Sequence, residues 1–163
     1  MGQLPKMYRV RQTFQRPRAE NIPVTTKMEL DRLSLEKKIH AGQKIGITVG
    51  SRGIQNILKI LRTAVEYVRQ AGAEPYLLAA MGSHGSGTAS GQKEILDSLG
   101  ITEASLGAPV LTCTDCIVIG ETSEGLPVFC LESALKMDGI LVINRVKTHT
   151  SFKGVVESGL AKK

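Results

Sequence analysis

A chain of 163 residues has the length of one domain, and with 42% hydrophobic residues it can bury a core of its own. Its net charge of +6 is spread over predicted helices and loops and only 4% of residues are aromatic, which argues against a nucleic-acid-binding module. No run approaches the roughly 20 apolar residues of a membrane span, and Met1-Gly2-Gln3-Leu4-Pro5-Lys6 lacks a charged-then-apolar leader, so a cytoplasmic protein without membrane or nucleic-acid partners is expected.

Residues 1–20 alternate around Met7, Arg9, Val10 and Phe14, as an edge strand or an arm would. Between Pro23 and His40, apolar Met28, Leu30, Leu33, Leu35 and Ile39 are mixed with charges, which predicts one or two short helices. The β-branched run Lys44–Val49 reads as a buried strand feeding Gly50-Ser51-Arg52-Gly53. Ile54, Ile57, Leu58, Leu61, Ala64, Val65 and Val68 then share one face at helical spacing up to Ala71-Gly72. A second buried strand, Pro75–Met81, follows at once, and strand, helix, strand at this spacing predicts a parallel crossover.

That strand feeds Gly82-Ser83-His84-Gly85-Ser86-Gly87-Thr88. Gln92–Leu99 reads as a helix that Thr88 or Ser90 could cap, and Ile101–Leu106 as a further turn with Thr102 and Ser105 as capping candidates. Strands are predicted at Pro109–Cys113, Cys116–Gly120 and Leu126–Cys130, the last two joined as a hairpin by Thr122-Ser123-Glu124-Gly125. A short helix at Ala134–Met137 precedes a last strand, Ile140–Ile143. The sum is one α/β domain over residues 1–163, a mostly parallel three-layer sheet with helices on both faces and a small antiparallel hairpin excursion. Residues 155–163 resemble the first turns of a helix that breaks off without a cap, so the native protein is expected to continue beyond Lys163.

Two of the three histidines, His84 and His149, follow predicted strands, at the edge where open α/β sheets keep their sites. The glycines around Gly82, Ser83 and His84 let backbone N–H groups approach an anion, although the loop matches neither a Walker loop nor a dinucleotide fingerprint. His149 stands among Arg145, Lys147 and Lys153, a basic neighbourhood that favours the neutral ring. Arg52 ends a third strand, and its guanidinium is a natural clamp for a carboxylate, with Lys147 a second substrate-binding candidate. Such a set fits proton removal from a small carboxylate-bearing substrate; solvated loop residues are the plain alternative. Cys113-Thr114-Asp115-Cys116 has the spacing of a zinc or redox pair, but no second pair completes it, so small thiols are expected.

These motifs resemble the N-terminal domain of the nickel-dependent lactate racemase family, from about Lys44 onward. The resemblance rests on Met81-Gly82-Ser83-His84, Leu99-Gly100-Ile101, the run Gly120–Val128, Thr148-His149 and Ser158-Gly159-Leu160-Ala161-Lys162. It implies racemisation or epimerisation of a 2-hydroxy acid, with a nickel pincer nucleotide carried on Lys162 through a thioamide. His84 and His149 would be alternate general bases on the substrate hydroxyl while the C2 hydride moves to the cofactor. Arg52 would bind the carboxylate, and the loop at Gly82 and Ser83 the substrate or the cofactor phosphate. The nickel-ligating histidine and a C-terminal domain would lie beyond Lys163, so no metal ligand is assigned within the chain and 1–163 alone is expected to be inactive. The racemase pattern has an acidic residue before the arginine and a proline after it, where Val49-Gly50-Ser51 and Gly53 stand here. The alternative is an anion- or small-molecule-binding member of the same fold without racemase activity.

Overall fold

The computed structural model describes residues 7–15, 17–51, 53–147 and 153–155. Its centre is a four-stranded parallel sheet of β1 (Lys44–Val49), β2 (Glu74–Ala79), β3 (Val110–Leu111) and a last strand, β6 (Gly139–Leu141). A separate antiparallel hairpin joins β4 (Cys116–Glu121) to β5 (Pro127–Leu131). The helices are α1 (Ile22–Arg32), α2 (Ile57–Gln70), α3 (Ala89–Ser98), α4 (Glu103–Leu106) and α5 (Glu132–Leu135). The chain is thus α/β, as its pattern predicts, and no helix among the described residues is long and apolar enough to cross a membrane.

Burial on both faces explains why β1 is a near-continuous apolar run, as strands of parallel sheets are. Side chains alternate between faces. Ile45, Ile47 and Val49, beside Leu77 and Ala79 of β2, join one apolar cluster with Leu61, Ala64, Val65 and Val68 of α2, Leu96 of α3, Ile101 and Leu106. Ile47, Leu61, Leu77 and Leu96 are fully buried, each contributing about 1.5–3 kcal/mol of transfer free energy. The opposite face carries Gly46, Thr48 and Leu78. There a Cβ on Gly46 would stand 2.5 Å from Leu78 Cδ1 and 3.0 Å from Cγ of Met137, which follows α5. Glycine leaves the room that Leu78 fills.

The caps follow the side chains available. Asn21 Oδ1 accepts the Val24 N–H at 3.2 Å, with a proline in the first turn of α1. Thr88 Oγ1 accepts the Gly91 N–H at 3.1 Å, so α3 begins at Ala89, earlier than the apolar periodicity indicates. Thr102 and Ser105 form a reciprocal capping box on α4.

Some boundaries differ from expectation. The Pro23–His40 stretch divides after α1, because Ser34 takes a left-handed φ of +50° and only a 3-10 turn, Leu35–Lys37, follows. β6 ends at Leu141, short of Ile143: the Ile143 N–H is taken by Thr48 Oγ1 at 3.0 Å instead of by a ladder carbonyl. Residues 7–15 form no strand and are exposed throughout, so of the two expectations for this segment the arm is the one seen.

α1 docks on α2 through a polar latch. Lys27 Nζ lies 2.9 Å from Asp31 Oδ2 and 5.7 Å from the centroid of the Tyr67 ring. Burial, and then the Asp31 carboxylate beside it, push the Tyr67 hydroxyl above its ordinary value of 10.0. The folded state therefore holds this proton more tightly than the unfolded state. Its contribution is complete below pH 10.0 and is lost as pH rises through the higher folded value. In urea titrations of wild type and Tyr67→Phe, the difference in stability should be constant up to that pH and then change as only the wild type weakens. Parallel curves from neutral to strongly alkaline pH would disprove the latch.

Candidate functional site at the carboxyl edge of the sheet

In the sheet order β3-β2-β1-β6, the chain moves outward from β1 through β2 to β3, and β6 then adds on the other side of β1. The direction of winding reverses between β1 and β6. In open parallel sheets this reversal opens a crevice beyond the carboxyl ends of the strands, where ligands bind. Three segments leave the sheet at that edge: Gly50-Ser51 after β1, Met81 onward after β2, and residues 142–147 after β6.

The loop after β2 is held by backbone geometry. The Ala80 N–H donates to the Val49 carbonyl at 2.8 Å, one step past the β1–β2 ladder, so the two strand ends leave the sheet together. Met81 is buried, whereas Gly82, Ser83 and His84 are exposed. The His84 N–H closes a turn on the Met81 carbonyl at 3.2 Å, and the Gly87 N–H reaches the Ser83 carbonyl at 3.1 Å. Gly85, Ser86 and Gly87 then take left-handed φ values of +67°, +57° and +65°. For Ser86, which has a side chain, that conformation costs on the order of 1–3 kcal/mol. The loop folds back so closely on α3 that a Cβ on Gly85 or on Gly91 would collide with the other's backbone. Glycine at both positions is what permits the contact, and it seats the loop on the first turn of α3.

The His84 ring is fixed by a neighbour from the adjacent strand end. Ser51 Oγ and His84 Nδ1 are 2.8 Å apart. If Nδ1 carries the proton and donates to Ser51, Nε2 keeps its lone pair and can act as a base; if the Ser51 hydroxyl donates, Nε2 carries the proton and is a hydrogen-bond donor. A hydroxyl partner permits either state, where a carboxylate would hold the first.

Beyond β6, the backbone continues beside β1 through Thr48, whose Oγ1 accepts the Ile143 N–H at 3.0 Å and donates to the Ile143 carbonyl at 3.4 Å. This delivers Asn144 to the carboxyl edge, followed by exposed Arg145, Val146 and Lys147. Asn144 Nδ2 is buried and has no hydrogen-bond partner among the described residues. A buried donor left unmet costs about 1–3 kcal/mol, so an acceptor supplied by a ligand would be stabilised there.

Of the residues expected at the site, Gly82, Ser83 and His84 are together after β2, and Lys147 lies on the segment after β6. Arg52, His149 and Lys162 lie outside the described residues. Two participants escaped the sequence reading. Ser51 could have been noticed as the polar residue that ends β1 next to Arg52, but its contact with His84, 33 positions away, comes only from parallel pairing. Asn144 carries no signal short of its burial. Elsewhere, a cleft of about 390 Å³ beside β3 is lined by Lys93, Asp97, Glu103 and Val110 among others and includes none of these residues. Cys113, Cys116 and Cys130 are free thiols, Cys116 Sγ lying 3.6 Å from the Thr114 carbonyl.

Two substitutions test this geometry. Ser51→Ala should leave the fold intact while shifting the balance of His84 tautomers in nitrogen-detected NMR of the ring; an unchanged ring spectrum would mean that the contact does not orient the histidine. Gly91→Ala should displace the 82–88 loop and lower stability by about 1–3 kcal/mol, as overpacking does. Urea midpoints and amide shifts confined to the loop and α3 would report it, and a midpoint equal to wild type would show that the close approach is absent.

Compared with known proteins, the chain matches no family model, no curated protein and no solved structure.

Proposed function

We propose that this chain is the hydroxyl-activating part of a lactate-racemase-like enzyme that inverts or epimerises a 2-hydroxy acid. The observation that carries the reading is the Ser51–His84 hydrogen bond, which holds an exposed imidazole by one nitrogen at the carboxyl edge of a parallel sheet. In this reading Nε2 of His84 takes the proton of the substrate hydroxyl, and Ser51 keeps the ring aimed as its charge changes. Arg52, directly after Ser51, pairs with the substrate carboxylate through two parallel N–H donors, and Lys147 adds positive charge at the crevice. Asn144 Nδ2 donates to a carboxylate or phosphate oxygen. His149 serves as the second base, and Gly82 and Ser83 contribute to the anion-holding loop. The three free thiols fit a reducing, cytoplasmic setting.

The nickel pincer nucleotide belongs to this proposal, with Lys162 as the residue that would hold it. Among the described residues no three His, Cys, Asp or Glu side chains converge as metal ligands. The buried Asn144 donor, without a partner among the described residues, fits a group bearing phosphate oxygens. When bound, the group would supply the acceptor for the C2 hydride. The chain's own residues would bind the carboxylate, orient the hydroxyl and carry its proton.

Titration with D- and L-lactate should perturb the His84 ring resonances, and Arg52→Ala should weaken that response by about 10–100-fold, the worth of a charged hydrogen bond. His84→Gln should keep carboxylate binding yet slow enantiomer interconversion in the cofactor-loaded protein by about 10²–10⁴-fold. Substrate deuterated at C2 should keep its deuterium through inversion; loss to solvent would mean proton abstraction at carbon and end the hydride reading. Co-production with the enzymes that build the cofactor should add a nucleotide-sized mass at Lys162. An unmodified Lys162 together with silent His84 resonances would overturn the proposal.

A further inference from the structure

The β4–β5 hairpin exposes an unusual amount of apolar surface. Val118 and Phe129 stand opposite each other across the ladder at 51% and 62% exposure, and Ile117, Ile119 and Leu126 are exposed at 47%, 55% and 61%. Its edges are also open, since among the described residues β4 pairs only with β5. An open apolar edge is a template for another strand. The two edges differ, because Pro127 removes a backbone donor from β5 whereas β4 contains no proline. The accepting edge is therefore β4.

The hairpin also has one sign of charge. From Thr112 to Leu131 it carries Asp115, Glu121 and Glu124 and no lysine or arginine, within a chain whose net charge is +6. Asp115 and Glu121 bracket β4.

The segment that complements it is the arm. Tyr8 and Val10 share one face of an extended chain, with Phe14 in the same phase, and Arg9 and Arg11 share the other. Four arginines, at 9, 11, 16 and 18, precede the first acidic residue, Glu20. On its own copy the arm is not seated: Met7, Tyr8, Val10 and Phe14 are 92%, 80%, 77% and 61% exposed. Nine extended residues reach about 30 Å and six about 20 Å, so the arm can cover the whole of β4.

We propose that residues 7–15 of one copy of this chain add as a third strand to the β4 edge of a second copy, and that the exchange is reciprocal. Main-chain hydrogen bonds along β4 supply the pairing, the apolar side chains of the arm cover Val118 and Phe129 or Ile117 and Ile119, and Arg9 and Arg11 face the acidic ends. Two such contacts related by a twofold axis close the assembly as a dimer, so neither apolar edge remains to propagate a filament. The charges choose the partner and register more than they add affinity. This inference is independent of the chemistry proposed for His84.

Sedimentation equilibrium of the 163-residue chain at micromolar to submillimolar concentration should show a monomer–dimer equilibrium that weakens as salt is raised. Arg9→Glu with Arg11→Glu should weaken dimerisation at least about tenfold, as should Asp115→Arg with Glu121→Arg on the hairpin. All four positions are exposed, and unchanged circular dichroism would verify that the variants fold. Mixing the two variants should restore a dimer, since both arm–hairpin contacts then join opposite charges. A monomer at every concentration would overturn the proposal. So would a dimer indifferent to both variants, or a monomer whose arm amides are protected from exchange, which would place the arm on its own hairpin.

Discussion

The parallel pairing of β1 is the constraint on which the rest of the structure depends. Because β1 lies between β2 and β6 in one direction, the three strand ends emerge at one edge, and every polar residue that follows them is delivered there. Parallel strands cannot be joined by tight turns, so each connection has to cross a face of the sheet. The helix α2 does so between β1 and β2, and burying its apolar stripe against Ile45, Ile47 and Val49 supplies much of the stability that holds the edge in place. The core and the site are in this sense consequences of one pairing.

At that edge the geometry is kept by backbone and by small residues. Gly85 and Gly91 allow a loop carbonyl and a helix turn to approach more closely than any side chain would permit, and Ser86 is held left-handed between them. Strain of this kind persists where the surroundings over-determine it, and such places cluster at functional sites. The Ser51–His84 contact draws on the same order, since the Ala80–Val49 hydrogen bond keeps the two strand ends abreast. A serine at this place gives the histidine a partner able to donate or accept. That suits the proposed role, a base that must release the proton it has taken.

The hairpin contrasts with the sheet. Its β4 residues are as apolar as those of β1, yet all six are exposed, and its acidic ends differ in sign from the chain as a whole. The arm contrasts in the opposite way, being basic, apolar by alternation and unpaired. These two segments lie outside the economy of the core, and each carries what the other lacks.

Local pattern by itself determined the kinds of element and most of their order. β-branched runs gave strands at Lys44–Val49 and, one residue short, at Cys116–Glu121, helical spacing gave α2, and Thr88 and Thr102 were among the capping candidates at helix starts, because each depends on residues within a turn or a strand of one another. His84 was legible as a candidate for the same reason, standing in a glycine loop just past an apolar run. Tertiary structure alone decided that β6 pairs with β1, so that the winding reverses there. It decided that Ser51 meets His84 and that Thr48 takes the Ile143 amide in place of a further ladder bond. It left Asn144 with a buried donor that has no partner among the described residues. Each of these joins residues separated by tens of positions, and long-range pairing is set by how the buried faces fit together, which no local periodicity encodes.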